Sequence, residues 1–347
     1  MDLFELARAL IDVDSTTGRE RAVGDLLFDL LAGIAGPSGG RVERMPVAGD
    51  RFNLFASWGA PAVVLSTHMD TVPPFLPARE DGTHLWGRGA CDTKGAIAAM
   101  VKAIEALLAA NGSGFGLLLV VGEETDSAGA TVADRQPPDV GASARYLING
   151  EPTENRLALG SKGALYLDLR AGGRAAHSAY PELGDSAIER LLAALAGLAA
   201  LGLPSDPVLG ETTMNVGTIA GGRAANVVPD EARAEVMIRT VGDTAALKAA
   251  IRAVLAAAGV AVAAEREVPA VRLAALDGLP TTVVRYTTDV PRLTHWGEPF
   301  LLGPGSIHVA HTAEERVAES ELVAAVGLYR DLVVRLQARL QQNARPQ

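Results

Sequence analysis

The sequence predicts an α/β protein: a mostly parallel sheet domain that carries an inserted ferredoxin-like βαββαβ domain. Three observations lead there. The run 115–121 (FGLLLVV) is apolar throughout, as expected of a strand covered on both faces. Short apolar runs alternate with helical patterns over the first 150 residues, which indicates a sheet with helical crossovers. From about residue 161 the order changes to strand, helix, strand, strand, helix, strand, the split βαβ arrangement.

Element by element, residues 1–36 read as a helix pair or one interrupted helix, with Leu3, Leu6, Ala7 and Leu10 at helical spacing. Residues 52–58 (FNLFASW) and 62–67 (AVVLST) are short, apolar and bounded by Gly and Pro, and read as strands. A Gly-rich loop precedes a helix over 94–110, and 145–149 (RYLIN) reads as a further strand. The inserted unit comprises a strand at 163–171, a helix at 185–201, strands at 212–220 and 231–240, a helix at 243–258 and a strand at 260–268. A strand at 281–286 and a helix over 312–340 then return to the first domain. The expected domains are therefore 1–160 plus 270–347, and 161–269.

Composition narrows the function. A chain of 347 residues, 48% hydrophobic, is too long for one ordinary core and has ample apolar surface for two. Its one cysteine, Cys91, excludes an internal disulfide and points to a reducing, cytoplasmic setting. The net charge of -10 argues against nucleic acid as the main partner, because phosphate binding needs a basic surface. No membrane association is expected: the start, MDLFELARALIDVDS, has no basic n-region, and the Ala/Leu-rich stretch 191–203 is too short to span a bilayer.

The residues that point to chemistry are acidic groups and histidines at strand ends. His68 and Asp70 follow the apolar run VVLS; two apart on an extended segment, they project to the same side, so Asp70 can fix the tautomer of His68 and leave its other nitrogen for a metal. Asp92 lies in GRGACDTKG, where the glycines allow an unusual backbone path; by itself Asp92 is equally a helix N-cap. The segment lacks a GKS or GKT ending, which sets aside a phosphate loop. Glu123 and Glu124 follow the buried strand. Two adjacent carboxylates there repel each other, and a metal at one resolves the conflict and leaves the other as a base. Glu151 stands in the same position after the next strand. His311 follows a Gly-Pro-Gly loop and is read as opening a helix, with His308 as a competing candidate; His84 and His295 read as structural. In the inserted unit, His177 lies in a loop before a helix, Asn226 in a turn between strands, and Arg239 at a strand end, where it is suited to clamp a carboxylate.

The segments HMDTV, GRGACDTKG, GEETDSAG, NGEPT, KGALYLDLRAGGRAAHSAYP, GGRAANVVPDEA and GPGSIHVAH occur in that order and cover nearly the whole chain. Together they resemble the M20 family of metallopeptidases, which includes acetylornithine deacetylase, succinyl-diaminopimelate desuccinylase, the deacylase of the carrier-protein lysine pathway and glutamate carboxypeptidases. The resemblance implies a di-zinc aminopeptidase-like catalytic domain and an inserted lid that usually makes a homodimer. It implies that Asp92 bridges two Zn2+ ions (Co2+ or Mn2+ as substitutes), that His68 and Glu151 hold one, and that Glu124 and His311 hold the other. Glu123 would be the general base, Asp70 is counted as catalytic through its hold on His68, and His177 would reach a partner subunit's site. Asn226 and Arg239 match positions that contact substrate, and Ser306 of GPGSIHVAH is taken with them. Such members often have a cis peptide after the Asp92 position. GPGSIHVAH looks most like the acetylornithine deacetylase branch. The expected reaction is release of an acyl group from an N-acyl amino acid; a dipeptidase or glutamate-type carboxypeptidase acting on short peptides is the alternative. A non-catalytic protein on the same scaffold would be expected to have lost ligands, and every ligand position is filled.

Overall fold

The computed structural model describes residues 1–137 and 143–343. Ten strands matter for the site and its surroundings: β1 (Arg41–Ala48), β2 (Arg51–Trp58), β3 (Val63–His68), β4 (Phe115–Val120), β5 (Tyr146–Asn149), β6 (Gly163–Gly172), β7 (Thr213–Gly221), β8 (Glu231–Thr240), β9 (Val260–Val268) and β10 (Glu298–Leu301). The α-helices are α1 (Leu3–Ile11), α2 (Arg21–Ala35), α3 (Lys94–Ala109), α4 (Ala128–Arg135), α5 (Ala187–Ala199), α6 (Ala245–Ala257) and α7 (Glu319–Asn343). Residues fall into two compact units, Met1–Leu159 with Leu273–Thr282 and Thr288–Gln347, and Gly160–Arg272 with Val283–Thr287. Residues 138–142 and 344–347 lie outside the described part.

In the first unit a six-stranded sheet runs in the order β1-β2-β4-β3-β5-β10. The pairs β4/β3, β3/β5 and β5/β10 are parallel, whereas β1/β2 and β2/β4 are antiparallel. The sheet is therefore mixed at one edge. The reason is local: only Gly49 and Asp50 separate β1 from β2, and so tight a connection makes an antiparallel pair. Central strands β3 and β4 are buried along their full length; β4 is apolar throughout, and β3 ends in the buried polar residues Ser66, Thr67 and His68. Helix α1 opens with a reciprocal capping box between Asp2 and Glu5 and buries Leu6, Ala7, Leu10 and Ile11. Helix α3 is buried along most of its Ala-rich length and packs against α1 and α7. Parallel strands aligned in this way end together: His68 is the last residue of β3, and the loops after β4 and β5 carry Glu123–Glu124 and Glu151.

The second unit is a four-stranded antiparallel sheet in the order β7-β8-β6-β9 with α5 and α6 on one face, the ferredoxin-like arrangement. Along β8 burial alternates residue by residue, putting Ala232, Ala234, Val236 and Ile238 under the helices with Leu191, Leu198, Ile251 and Leu255. Each such leucine removed from water contributes roughly 1.5–3 kcal/mol.

Two expectations are corrected. Helix α7 starts at Glu319, not at 312. His311 instead sits at φ 62°, a left-handed conformation that does not continue into a helix, and Arg316–Ala318 pairs with His84–Trp86 as a short strand. Neither β1, nor α4, nor β10 was visible as an element in the sequence, because their burial is irregular or their runs are only four to eight residues long.

Candidate metal centre

The end of β3, the loops that follow β4 and β5, and the loop before α3 bring His68 and the acidic groups together, and a further segment, 303–311, adds a second histidine. Two groups of metal-type ligands result: His68, Asp92 and Glu151, and Asp92, Glu124 and His311, with each group's donor atoms within 4.8 Å of one another. Asp92 belongs to both. Its Oδ1 lies 3.1 Å from His68 Nε2 and its Oδ2 lies 3.2 Å from His311 Nε2. One carboxylate thus faces two histidines with two different oxygens. His311 Nε2 also lies 3.0 Å from Glu124 Oε2. His308 is in neither group and is exposed.

Asp92 is not a helix N-cap. The cap of α3 is Thr93, and the peptide bond between Asp92 and Thr93 is cis. Thr93 Oγ1 donates to the His68 carbonyl at 2.8 Å, and Thr67 Oγ1 lies 2.8 Å from both Thr93 Oγ1 and the Gly150 carbonyl. These bonds join the ends of β3, α3 and β5, and so tie three ligand-bearing loops to one another.

His68 is oriented differently from the expectation. Its Nδ1 donates to the Asp70 main-chain carbonyl at 2.9 Å, while the Asp70 carboxylate stays 3.6 Å away. That carboxylate is already engaged. It accepts the N–H groups of Gly122, Glu123 and Glu124 at 2.9, 3.1 and 3.2 Å and the Thr17 hydroxyl at 2.7 Å. Asp70 therefore holds the loop that carries the Glu pair. Burial pushes its carboxyl up, but His68 and this set of donors outweigh burial and keep it below the usual range. The loop turns at Gly122, whose φ of 82° strains any residue with a side chain, and a Cβ there would meet Arg51 Nη2 at 2.8 Å.

The remaining carboxylates are held at high energy. Burial, opposed by His68 and reinforced by neighbouring carboxylates, pushes both Glu123 and Glu151 well above the usual range. Glu151 Oε1 is buried and has no hydrogen-bond partner. Glu124 is raised by burial and by Asp92, against the pull of His311. His311, bonded by Asp92 and Glu124, is pushed up to about 10. An unpaired buried carboxylate, a shared carboxylate and two histidines without cysteine are the donor set of a catalytic divalent-ion pair, and the residues fit such a group.

Ser306 lies beside this cluster: its hydroxyl donates to Glu154 at 2.8 Å and its carbonyl is 3.7 Å from Cys91 Sγ. In the second unit, His177 and Asn226 come together. Ala179 N–H donates to His177 Nδ1 at 3.1 Å, and Ser178 N–H donates to the Asn226 carbonyl at 3.0 Å. His177 is exposed, and when neutral it keeps its proton on Nε2. Arg239 is not with them. The Asn226 turn precedes Glu231 at one end of β8, and Arg239 is eight residues further along it, about 26 Å in an extended strand. Arg239 Nη1 is buried without a partner. His84 and His295 bond Thr83 and Asp134, away from either metal-type group.

Three residues near the centre were not found by sequence reasoning. Arg88 and Glu315 form a fully buried ion pair at 2.5 Å. Asp289 is buried with neither oxygen in a hydrogen bond of ordinary geometry, although the Ser127 hydroxyl faces it. Burial raises its carboxyl to about 6 against the pull of Ser127 and His68. Glu315 belongs to an adjacent Glu pair like Glu123–Glu124, which was a usable signal, but no apolar run precedes it; YTTDVPR offered none for Asp289.

Known proteins share this arrangement of chain. The profile of peptidase family M20/M25/M40 matches residues 64–335. A probable carboxypeptidase of Aspergillus clavatus is 38% identical, over 95% of this chain and 82% of its own length. Among solved structures, a tripeptidase from Staphylococcus aureus superposes with a TM-score of 0.78 at 21% identity, covering 96% of this chain and 98% of that one. An M20 family metallo-carboxypeptidase from Sulfolobus solfataricus does so with a TM-score of 0.76 at 16% identity, covering 96% and 99%. The fold, the motif series and the match over most of the chain agree: the protein belongs to peptidase family M20/M25/M40 and is a metallopeptidase-type hydrolase of amide bonds.

Proposed function

We propose that the chain releases a C-terminal amino acid from short peptides or N-acyl amino acids, using two divalent ions, zinc first among them, held by His68, Asp92, Glu124, Glu151 and His311. The observation that carries this reading is Asp92, whose two oxygens each face a different histidine. When bound, the ions supply Lewis acidity and lower the pKa of water. Glu123, held beside them by its N–H bond to Asp70, takes the proton of the attacking water and passes it to the leaving amine. The resemblance to a probable carboxypeptidase supports a substrate with a free carboxylate, and deacylation of an N-acyl amino acid cuts the same kind of bond.

Arg239 is suited to that carboxylate because its buried Nη1 lacks a partner. His177 Nε2–H is suited to the oxyanion of the cleaved carbonyl, with Asn226 fixing its loop. The separation of about 26 Å along β8 exceeds the span of a small substrate, so a molecule held by Arg239 meets a His177 only from a second copy of the chain. That supports a homodimer in which the second unit serves as lid and dimerisation domain. Ser306 borders the cluster and is positioned to line the substrate path with Glu154.

The test is a release assay on zinc- or cobalt-loaded protein. Its substrates are free dipeptides, N-blocked dipeptides, N-acetylornithine and N-acetyl-lysine, each with its carboxylate free or amidated. Turnover of the free acids and loss with the amides is expected. Hydrolysis that ignores the carboxylate would overturn the substrate class.

A further inference from the structure

The bridging carboxylate has a support of its own. Asp92 lies in a loop whose backbone is held by a residue more than two hundred positions away in sequence. Glu315 Oε1 accepts the N–H of Gly89 at 2.9 Å and of Asp92 at 3.3 Å, and lies 3.7 Å from Cys91 Sγ. Its Oε2 accepts Arg88 Nη1 at 2.5 Å. The main-chain carbonyl of Glu315 accepts the Gly87 N–H at 3.1 Å. One glutamate therefore engages Gly87, Arg88, Gly89, Cys91 and Asp92, nearly every residue of the loop.

Glu315 is 1% exposed and Arg88 is 2% exposed. A fully desolvated ion pair often contributes no more stability than a well-packed apolar pair of similar volume, and losing one partner leaves the other as an uncompensated buried charge. Stability alone is thus a poor reason for this pair. Its geometry offers a better one. Arg88, which also donates to the Pro74 carbonyl at 3.2 Å, anchors one carboxylate oxygen. The other oxygen is then fixed at the amide of the residue that both metal-type groups share. Gly305 also packs against this loop, so closely that a Cβ there would meet the Cys91 Cβ at 2.4 Å. The loop is thus held by hydrogen bonds from Glu315 and by close packing at Cys91.

We infer that Glu315 is a positioning residue: with Arg88 as its anchor, it sets the main chain at Asp92 so that the two carboxylate oxygens address two metal ions at once. The inference rests on the reading of Asp92 as the shared ligand.

The test compares paired variants in which no buried charge is left alone. Arg88→Met with Glu315→Gln keeps an acceptor for the Asp92 N–H; Arg88→Met with Glu315→Leu removes it. Glu315→Asp keeps the ion pair but withdraws the second oxygen by one methylene, and serves if the leucine variant does not fold. Zn2+ and Co2+ binding to the chelated proteins is measured by calorimetry and by the cobalt absorption spectrum, with folding checked by circular dichroism. The expected result is two ions for wild type and for the Met/Gln variant. The Met/Leu and Glu315→Asp variants should bind at least one ion about 10–100-fold more weakly, the usual cost of losing such a support. Wild-type affinity for both ions in a folded Met/Leu or Glu315→Asp protein overturns the inference alone. A wild-type chain that binds fewer than two ions overturns the metal-centre reading, and this inference with it.

Discussion

The Asp70 carboxylate accepts the main-chain N–H of Glu123 at 3.1 Å, between its bonds to Gly122 and Glu124. A residue of the loop after β3 thereby sets the position of the proposed base after β4. Asp70→Asn replaces one of the accepting oxygens with a donor and loosens that loop without touching a ligand atom. A loss of about 10²-fold in kcat is expected, the scale of a displacement near 1 Å, with two ions per chain retained. Metal analysis beside steady-state kinetics separates the two effects.

Glu123→Gln removes the proposed base and keeps its volume. The metal content should stay at two per chain, while kcat falls by about 10²–10⁴. A variant that keeps more than about a tenth of wild-type turnover, a smaller loss than acid–base groups show, places the base elsewhere.

The metal-free cluster should respond to pH with a definite sign. Glu123, Glu124 and Glu151 are raised from 4.5, and His311 from 6.5 to about 10. All four hold their protons more tightly folded than unfolded. Their contribution is complete below the unfolded values and is lost as pH rises through the folded ones. Solvent screening reduces the share of the half-exposed His311. The chelated protein is therefore expected to lose Tm as pH rises from 6.5 to about 10, the interval of His311, with the raised glutamates adding to the loss above 4.5. Metal affinity should rise over the same window, because ions bind the deprotonated ligands. Calorimetry with and without metal reads both; a metal-free Tm that climbs over this range contradicts the picture.

If His177 serves a second copy's site, two inactive proteins should repair each other. Mixed dimers of His177→Ala with Glu123→Ala contain one site that has both residues, and should recover about a quarter to a half of wild-type activity after subunit exchange, by simple counting of sites. No recovery in verified heterodimers confines His177 to its own subunit or removes it from the reaction.

Most of the fold was legible because its strands are uniformly apolar or strictly alternating. The β8 pattern and the FGLLLVV run leave little choice of face. His68, Glu124 and Glu151 were legible because they stand where apolar runs stop, while Asp92 and His311 stand in glycine-rich segments and were legible through the motif series. What stayed hidden depends on contacts between distant segments. No local pattern around Glu315 announces that its carboxylate ends at Asp92, and the Asp70 side chain, read as the partner of its neighbour His68, goes instead to amides some fifty residues on. The misplaced start of α7 is of the same kind: the helical pattern was real, but a left-handed His311 and a short strand intervene before it begins.

Shared ownership of Asp92 has a consequence for the order in which the centre can be built. His68, Asp92 and Glu151 are all synthesised within the first 151 residues, but His311 follows about 160 residues later, after the whole ferredoxin-like unit. At roughly 5–20 residues per second, one ligand group is complete in sequence some 8–30 s before the other. During that interval Asp92 has only one histidine to face. On a ribosome, the donors of the first group are all made before the second group is complete, because His311 arrives only when the chain returns to the first unit.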